Sequence, residues 1–168
     1  MITNASMSKS TIVTKSGFKY IVTQSPDPNN LQNYKDFLLN NCVTTVVKLC
    51  TENRYEIEFL EHHGINVINI PLSDGSTPSA EVISQWVGII KKLQKEKKQG
   101  VAVHCVSGLG RAPLFVCVTI IKIDKTDPID TITNVRKTIP RALNTVQIKF
   151  LEALPSSNET KGGRCTIC

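Results

Sequence analysis

The sequence predicts an α/β fold, a central, mostly parallel sheet flanked by helices, with a strand-loop-helix unit at its heart. Short β-branched runs at 43–49, 65–70 and 100–104 alternate with longer segments of helical period, and strands that alternate with helices pair in parallel through helical crossovers. Between the last of these strands and a long apolar stretch, Leu114 to Ile121, lies a loop holding Gly108 and Gly110. A glycine loop that feeds a helix is a setting for binding an anion.

Composition bounds the function. At 168 residues and 40% hydrophobic content, the chain can bury one core. Residues 1–154 are expected to form a single domain, followed by a flexible tail over 155–168 rich in Ser, Asn, Thr, Lys and Gly. The formal net charge of +6 favours anionic partners, either phosphorylated substrates or an acidic membrane surface. With 5% aromatic residues and no basic stripe interleaved with aromatics, nucleic acid is not an expected partner. No apolar run reaches the length of a membrane span. The six cysteines follow no apolar leader core, which predicts reduced thiols in a cytoplasmic setting rather than a disulfide framework.

In chain order, Thr11 to Lys15 and Phe18 to Thr23, separated by Ser16-Gly17, suit a hairpin. Leu31, Tyr34 and Leu38 recur at helical spacing after a loop rich in Pro and Asn. Val43 to Leu49 is a continuous β-branched run, suited to a strand buried on both faces, with Cys50 at its end. Arg54 to His63 is expected to be a helix stopped by Gly64. Its two adjacent histidines, His62 and His63, point about 100° apart, which fits a solvated helix end better than shared metal binding. Ile65 to Ile70 is the next strand, followed by the loop Pro71 to Pro78. Ser79 can cap a helix whose apolar stripe is Val82, Trp86, Ile89, Ile90 and Leu93, with Lys91, Lys92, Lys95, Lys97 and Lys98 toward solvent. Asp127 to Lys137 and Thr145 to Leu154 complete the helices.

The chemistry concentrates in His104-Cys105-Val106-Ser107-Gly108-Leu109-Gly110-Arg111. Free amides of Val106, Ser107, Gly108, Leu109 and Gly110, with the positive end of the helix dipole, favour a phosphate-like group. Arg111 adds a planar fork for two of its oxygens. The same field favours a thiolate, which makes Cys105 a candidate nucleophile. In parallel sheets ligands bind beyond the carboxyl ends of the strands, and Cys50, Asp74 and Cys105 all fall at such ends. Asp74 is the candidate acid, because an expelled alkoxide or phenoxide leaves more easily when a carboxylic acid protonates it.

These residues resemble the signature of cysteine-dependent protein tyrosine phosphatases, a superfamily that includes dual-specificity enzymes. Gly-Leu-Gly-Arg-Ala-Pro over 108–113 narrows the resemblance to the type IVA family, also called phosphatases of regenerating liver. The resemblance covers about Thr11 to Leu154, plus the last four residues. It implies a phosphatase fold in which Cys105 attacks phosphorus, Arg111 and the loop amides hold the phosphoryl oxygens, Asp74 protonates the leaving group and water resolves a phosphocysteine, with no metal or cofactor. The family's Pro-x-x-Asp-Gly loop is matched by Pro71, Asp74 and Gly75, but Ile70, Leu72 and Ser73 replace the family's usual Trp, Phe and first Asp. Ala112 stands where most relatives carry Ser or Thr. Gln147 matches a position that orients the hydrolytic water.

The same resemblance brings the strand ends at Leu49 and His104 side by side, so that Cys50 and Cys105 can form a redox-sensitive disulfide. The tail ends in Cys165-Thr166-Ile167-Cys168, a prenylation-like box that would attach Cys165 to a lipid and place a pool of the protein on the cytoplasmic face of membranes. A Cys-x-x-Cys redox or half-zinc site is the competing reading of that tail. Two alternatives to a protein tyrosine phosphatase stay open. One is a slow, phosphatase-like binding module for a partner such as a CBS-domain magnesium transporter, as the family resemblance implies, and the other is a phosphoinositide phosphatase.

Overall fold

The computed structural model describes residues 10–155. Five strands form one sheet in the order β1-β2-β5-β3-β4. They are β1 (Ser10–Lys15), β2 (Phe18–Gln24), β3 (Thr45–Lys48), β4 (Asn66–Asn69) and β5 (Gly100–Cys105). β1 and β2 make the expected antiparallel hairpin, with Lys15 opposite Phe18. Every other pairing is parallel. Six helices complete the chain: α1 (Leu31–Asn40), α2 (Ile57–His62), α3 (Ala80–Lys95), α4 (Arg111–Lys122), α5 (Pro128–Thr138) and α6 (Thr145–Glu152).

Alternation along the strands divides two apolar layers. Val101, Val103 and Cys105 of β5 face one layer with Tyr20, Val47, Trp86 and α4, while Ala102 faces the other with Ile21, Val46, Tyr34 and Leu60. All six residues of β5 are buried, as a central strand covered on both faces requires. α4 is buried along Arg111 to Ile121, which suits a helix apolar on all sides. Trp86 ties α3 to it, donating its indole N–H to the Phe115 carbonyl at 2.8 Å and the Thr119 hydroxyl at 2.6 Å.

Local signals placed most element ends. The Ser79 side chain accepts from the Val82 amide and starts α3. Gly100 is forced by sheet packing, since a Cβ there would lie 2.5 Å from the Lys19 carbonyl oxygen. Two expected spans shrink. The strand expected over 43–49 is regular only over Thr45–Lys48, and the helix expected from Arg54 begins at Ile57. The helix is shortened because Tyr55 is drawn into the core to meet His104, at 2.8 Å from its Nε2. His62 and His63 are exposed, and the strand expected to stop at His104 runs through Cys105. The proposed boundary at 155 and Cys165 adjoin or fall outside the described residues.

Candidate active site

Cys105 ends β5 with its side chain buried, opposite Gln24 of β2. The chain then turns through Val106 to Gly110 and enters α4 at Arg111, with Gly110 as N-cap and no side chain capping the first turn. The first-turn amides of α4 are therefore left to a ligand, while the Leu109 amide donates to Ser107 Oγ at 3.3 Å. The turn depends on Gly108, which has φ +73 and whose added Cβ would stand 3.0 Å from the Thr23 backbone.

Arg111 is 2% exposed. Its Nη1 donates to the Leu72 carbonyl at 3.0 Å, and its Nη2 lies 3.1 Å from Asp74 Oδ1. The fork thus gathers the loop between β4 and α3 over the phosphate loop and brings Asp74, whose side chain is 87% exposed, to the mouth. The Arg111 Nε is buried without a partner.

The start of α6 holds the same loop from the other side. Asn144 and Gln147 form a reciprocal capping box, and each uses its remaining amide donor on the Asp74 loop. Asn144 Nδ2 donates to the Gly75 carbonyl at 3.0 Å, and Gln147 Nε2 to the Ser76 carbonyl at 3.3 Å. Gln147 is fully buried and packs beside Gly110. The Asn-x-x-Gln spacing is itself a helix-start signal, so its presence was legible, but its grip on the acid loop was not.

Beneath the phosphate loop lies a buried polar cluster in which the sequence assigned a role to Cys50 but none to Tyr55, Tyr34 or Lys48. His104 is fully buried, with Tyr55 and Tyr34 rings around it. Burial pulls its pKa down to about 4, so the imidazole is neutral at neutral pH. Cys50 Sγ rests 3.9 Å from His104 Nδ1. Burial pushes the Cys50 thiol up, with the nearby Lys48 charge opposing. Both Cys50 and Cys105 are free thiols. The ladder bond from the Leu49 amide to the His104 carbonyl, 2.9 Å, makes Leu49 the neighbour of this strand end and leaves Cys50 beside the imidazole. Lys48 is also buried, and its ammonium donates to the Cys50 carbonyl at 2.9 Å and Asn53 Oδ1 at 3.2 Å. A lysine inside a β-branched run was the available signal for it. Among the described residues, no group of three or more His, Cys, Asp or Glu side chains is arranged to hold a metal ion.

A family model described as Tc-R-P, polymorphic toxin system, DSP-PTPase phosphatase, matches residues 23–124. A probable protein tyrosine phosphatase type IVA B of Dictyostelium discoideum is 32% identical over 152 residues, covering 89% of this chain and 91% of that protein. The chain belongs to the protein tyrosine phosphatase type IVA family. The PRL-1 phosphatase of Drosophila melanogaster is 35% identical, over 81% of this chain and 77% of its own. A putative protein tyrosine phosphatase from Leishmania major shares the fold, with TM-score 0.77 at 24% identity over 87% of this chain and 98% of that one. As a member, this type IVA phosphatase is a hydrolase of the cysteine-dependent tyrosine and dual-specificity class.

Proposed function

We propose that this phosphatase hydrolyses phosphotyrosine, or a related protein phosphomonoester, through a phosphocysteine. The Cys105 thiolate attacks phosphorus while Arg111 and the amides of Val106 to Gly110 hold the other oxygens. Asp74, as the acid, gives its proton to the departing oxygen. Gln147 then orients a water, Asp74 takes back a proton, and inorganic phosphate leaves as the thiolate reforms. The pairing of Arg111 with Asp74 supports this reading most, because it sets the phosphate-binding fork and the acid 3.1 Å apart. Phosphate arriving at the fork competes for Arg111 and frees the carboxyl for the leaving group. Turnover of phosphotyrosine peptides by Cys105→Ser should be lost while phosphate binding persists; turnover that survives would overturn the mechanism.

Charge placement favours a protein substrate over a phosphoinositide. Lys92, Lys95, Lys97 and Lys98 stand where α3 leads into the start of β5, at the pole opposite the phosphate loop. The mouth instead carries Asp74 and Glu52, whose carboxyl is held below its ordinary value by a backbone hydrogen bond and also by Arg111 and Arg54. A turnover panel of phosphotyrosine peptides, phosphoinositides and an aryl phosphate tests this, and a preference for the lipids would reverse it.

Regulation and location follow the same proposal. Peroxide converts the Cys105 thiolate to a sulfenic acid, which condenses with the Cys50 thiol, releasing water and leaving a disulfide that reductant reopens. Peptide mapping that finds the bridge elsewhere removes Cys50. Prenylation at Cys165 gives a membrane pool, tested by fractionation of Cys165→Ser. A CBS-domain magnesium transporter is the partner to test by pull-down with Cys105→Ser.

A further inference from the structure

Beside the phosphate loop runs a groove that this chemistry does not use. Ser107 and Leu109 of the loop, Ser10 and Thr11 of β1, and Pro140 and Arg141 of the α5–α6 connection wall a volume of about 370 Å³. The connection is clamped to the loop, since the Leu143 amide donates to the Leu109 carbonyl at 2.8 Å. Loop and groove therefore share Ser107, Gly108 and Leu109 as a common wall.

Arg141 is out of place there on grounds of stability. Its φ is +66, a left-handed conformation that disfavours any side chain with a Cβ and is ordinarily left to glycine or asparagine. It is exposed, so no buried apolar area offsets that strain. Its guanidinium makes no hydrogen bond or ion pair with any described residue. Lys97 shares this left-handed, exposed state at the opposite pole, so what sets Arg141 apart is its place in the wall of a groove beside the phosphate loop.

The chemistry of the walls indicates the use. No acidic side chain lines the groove, so the Arg141 charge is not neutralised locally. Ser10, Thr11 and Ser107 place hydroxyls along the same walls, and a guanidinium fork matches a carboxylate in two parallel bonds. On the other side of the mouth Asp74 is paired with Arg111 and Glu52 lies within the field of Arg111 and Arg54, so those charges are met within the fold. A peptide with an acidic residue beside its phosphorylated one is attracted to the groove by the Arg141 charge.

We propose that Arg141 and this groove form a docking subsite for a carboxylate flanking the phosphorylated residue of a protein substrate, so that the enzyme selects acidic phosphopeptides. The proposal rests on the phosphatase reading above. The test compares the full chain with Arg141→Gly and Arg141→Glu on two phosphotyrosine peptides, one with Asp and Glu flanks and one with Asn and Gln in their place, and on an aryl phosphate. The native enzyme should favour the acidic peptide about fivefold in kcat/KM, mainly through KM, as one exposed charged contact allows. Arg141→Gly should abolish that preference while raising the thermal midpoint by relieving the left-handed strain, and Arg141→Glu should reverse the preference. The aryl phosphate has nothing to place in the groove, so its turnover reports the phosphate loop. Equal use of both peptides by the native enzyme, a preference that persists in Arg141→Gly, or an equal loss on peptide and aryl phosphate would each overturn the subsite. A native enzyme inactive on all three substrates would instead overturn the phosphatase reading.

Discussion

Replacing Tyr55 by phenylalanine removes a single oxygen, and the packing around His104 sets the cost. Tyr55 is 7% exposed and His104 fully buried, with the phenol oxygen 2.8 Å from Nε2. A neutral imidazole carries one N–H; with that proton on Nδ1, Nε2 is the acceptor for the phenol, whose oxygen lies 2.8 Å away. Without the hydroxyl, Nε2 is a buried acceptor with no donor, which costs about 1–3 kcal/mol. The same burial makes stability depend on pH. The folded pKa of His104 is near 4, against an ordinary 6.5, so between these values the unfolded chain binds a proton that the folded chain refuses. Stability contributed by the neutral histidine is complete above about pH 6.5 and falls as pH drops toward 4. From pH 7 to pH 5 the loss works out at about 2 kcal/mol. Urea denaturation followed through Trp86, the only tryptophan, measures both effects. An unchanged midpoint in Tyr55→Phe at pH 7, or a native stability that is level from pH 7 to pH 5, would refute this account of the cluster.

Other changes address single contacts in the site. Gly108→Ala should cost about 1–2 kcal/mol through its left-handed φ and, by pushing on the Thr23 backbone, should lower phosphate affinity; an alanine variant with native affinity would speak against the turn. Asn144→Ala loses a helix cap worth about 1 kcal/mol and the bond that holds the Asp74 loop at Gly75. Its kcat should fall more than its KM rises, and unchanged kcat would show that the loop is held without Asn144. Ala112 is fully buried at the start of α4. In Ala112→Ser the new hydroxyl can donate to the departing Cys105 thiolate, so phosphocysteine hydrolysis should quicken about tenfold, and rapid-quench traces with identical bursts in both forms would exclude it.

The sequence by itself determined what lies within reach of local rules. Cys105 and Arg111 belong to one strand-loop-helix unit, so residue type and short spacing define both the loop and its ligand. The continuous β-branched run over 43–49 suited β3 to a sheet with two covered faces, and the serine at 79 started α3 from its own side chain. The tertiary structure alone decided which distant groups meet. Arg111 reaches Leu72 and Asp74 across nearly forty residues of chain, and Asn144 and Gln147 grip Gly75 and Ser76 across about seventy. Tyr55 left the helix its sequence suggests because a buried imidazole needed a donor, a demand created only when β3 and β5 pair. Lys48 is hidden for the same kind of reason, its charge met by the Cys50 carbonyl and Asn53 once the loop folds over it. Backbone preference and hydrophobic period act within a turn or a strand, whereas the partner of a buried polar group is fixed by which loops converge at the sheet edge. The topology also placed Lys92, Lys95, Lys97 and Lys98 at the pole opposite the mouth and set Arg141 in the groove beside the phosphate loop, which the net charge alone could not assign.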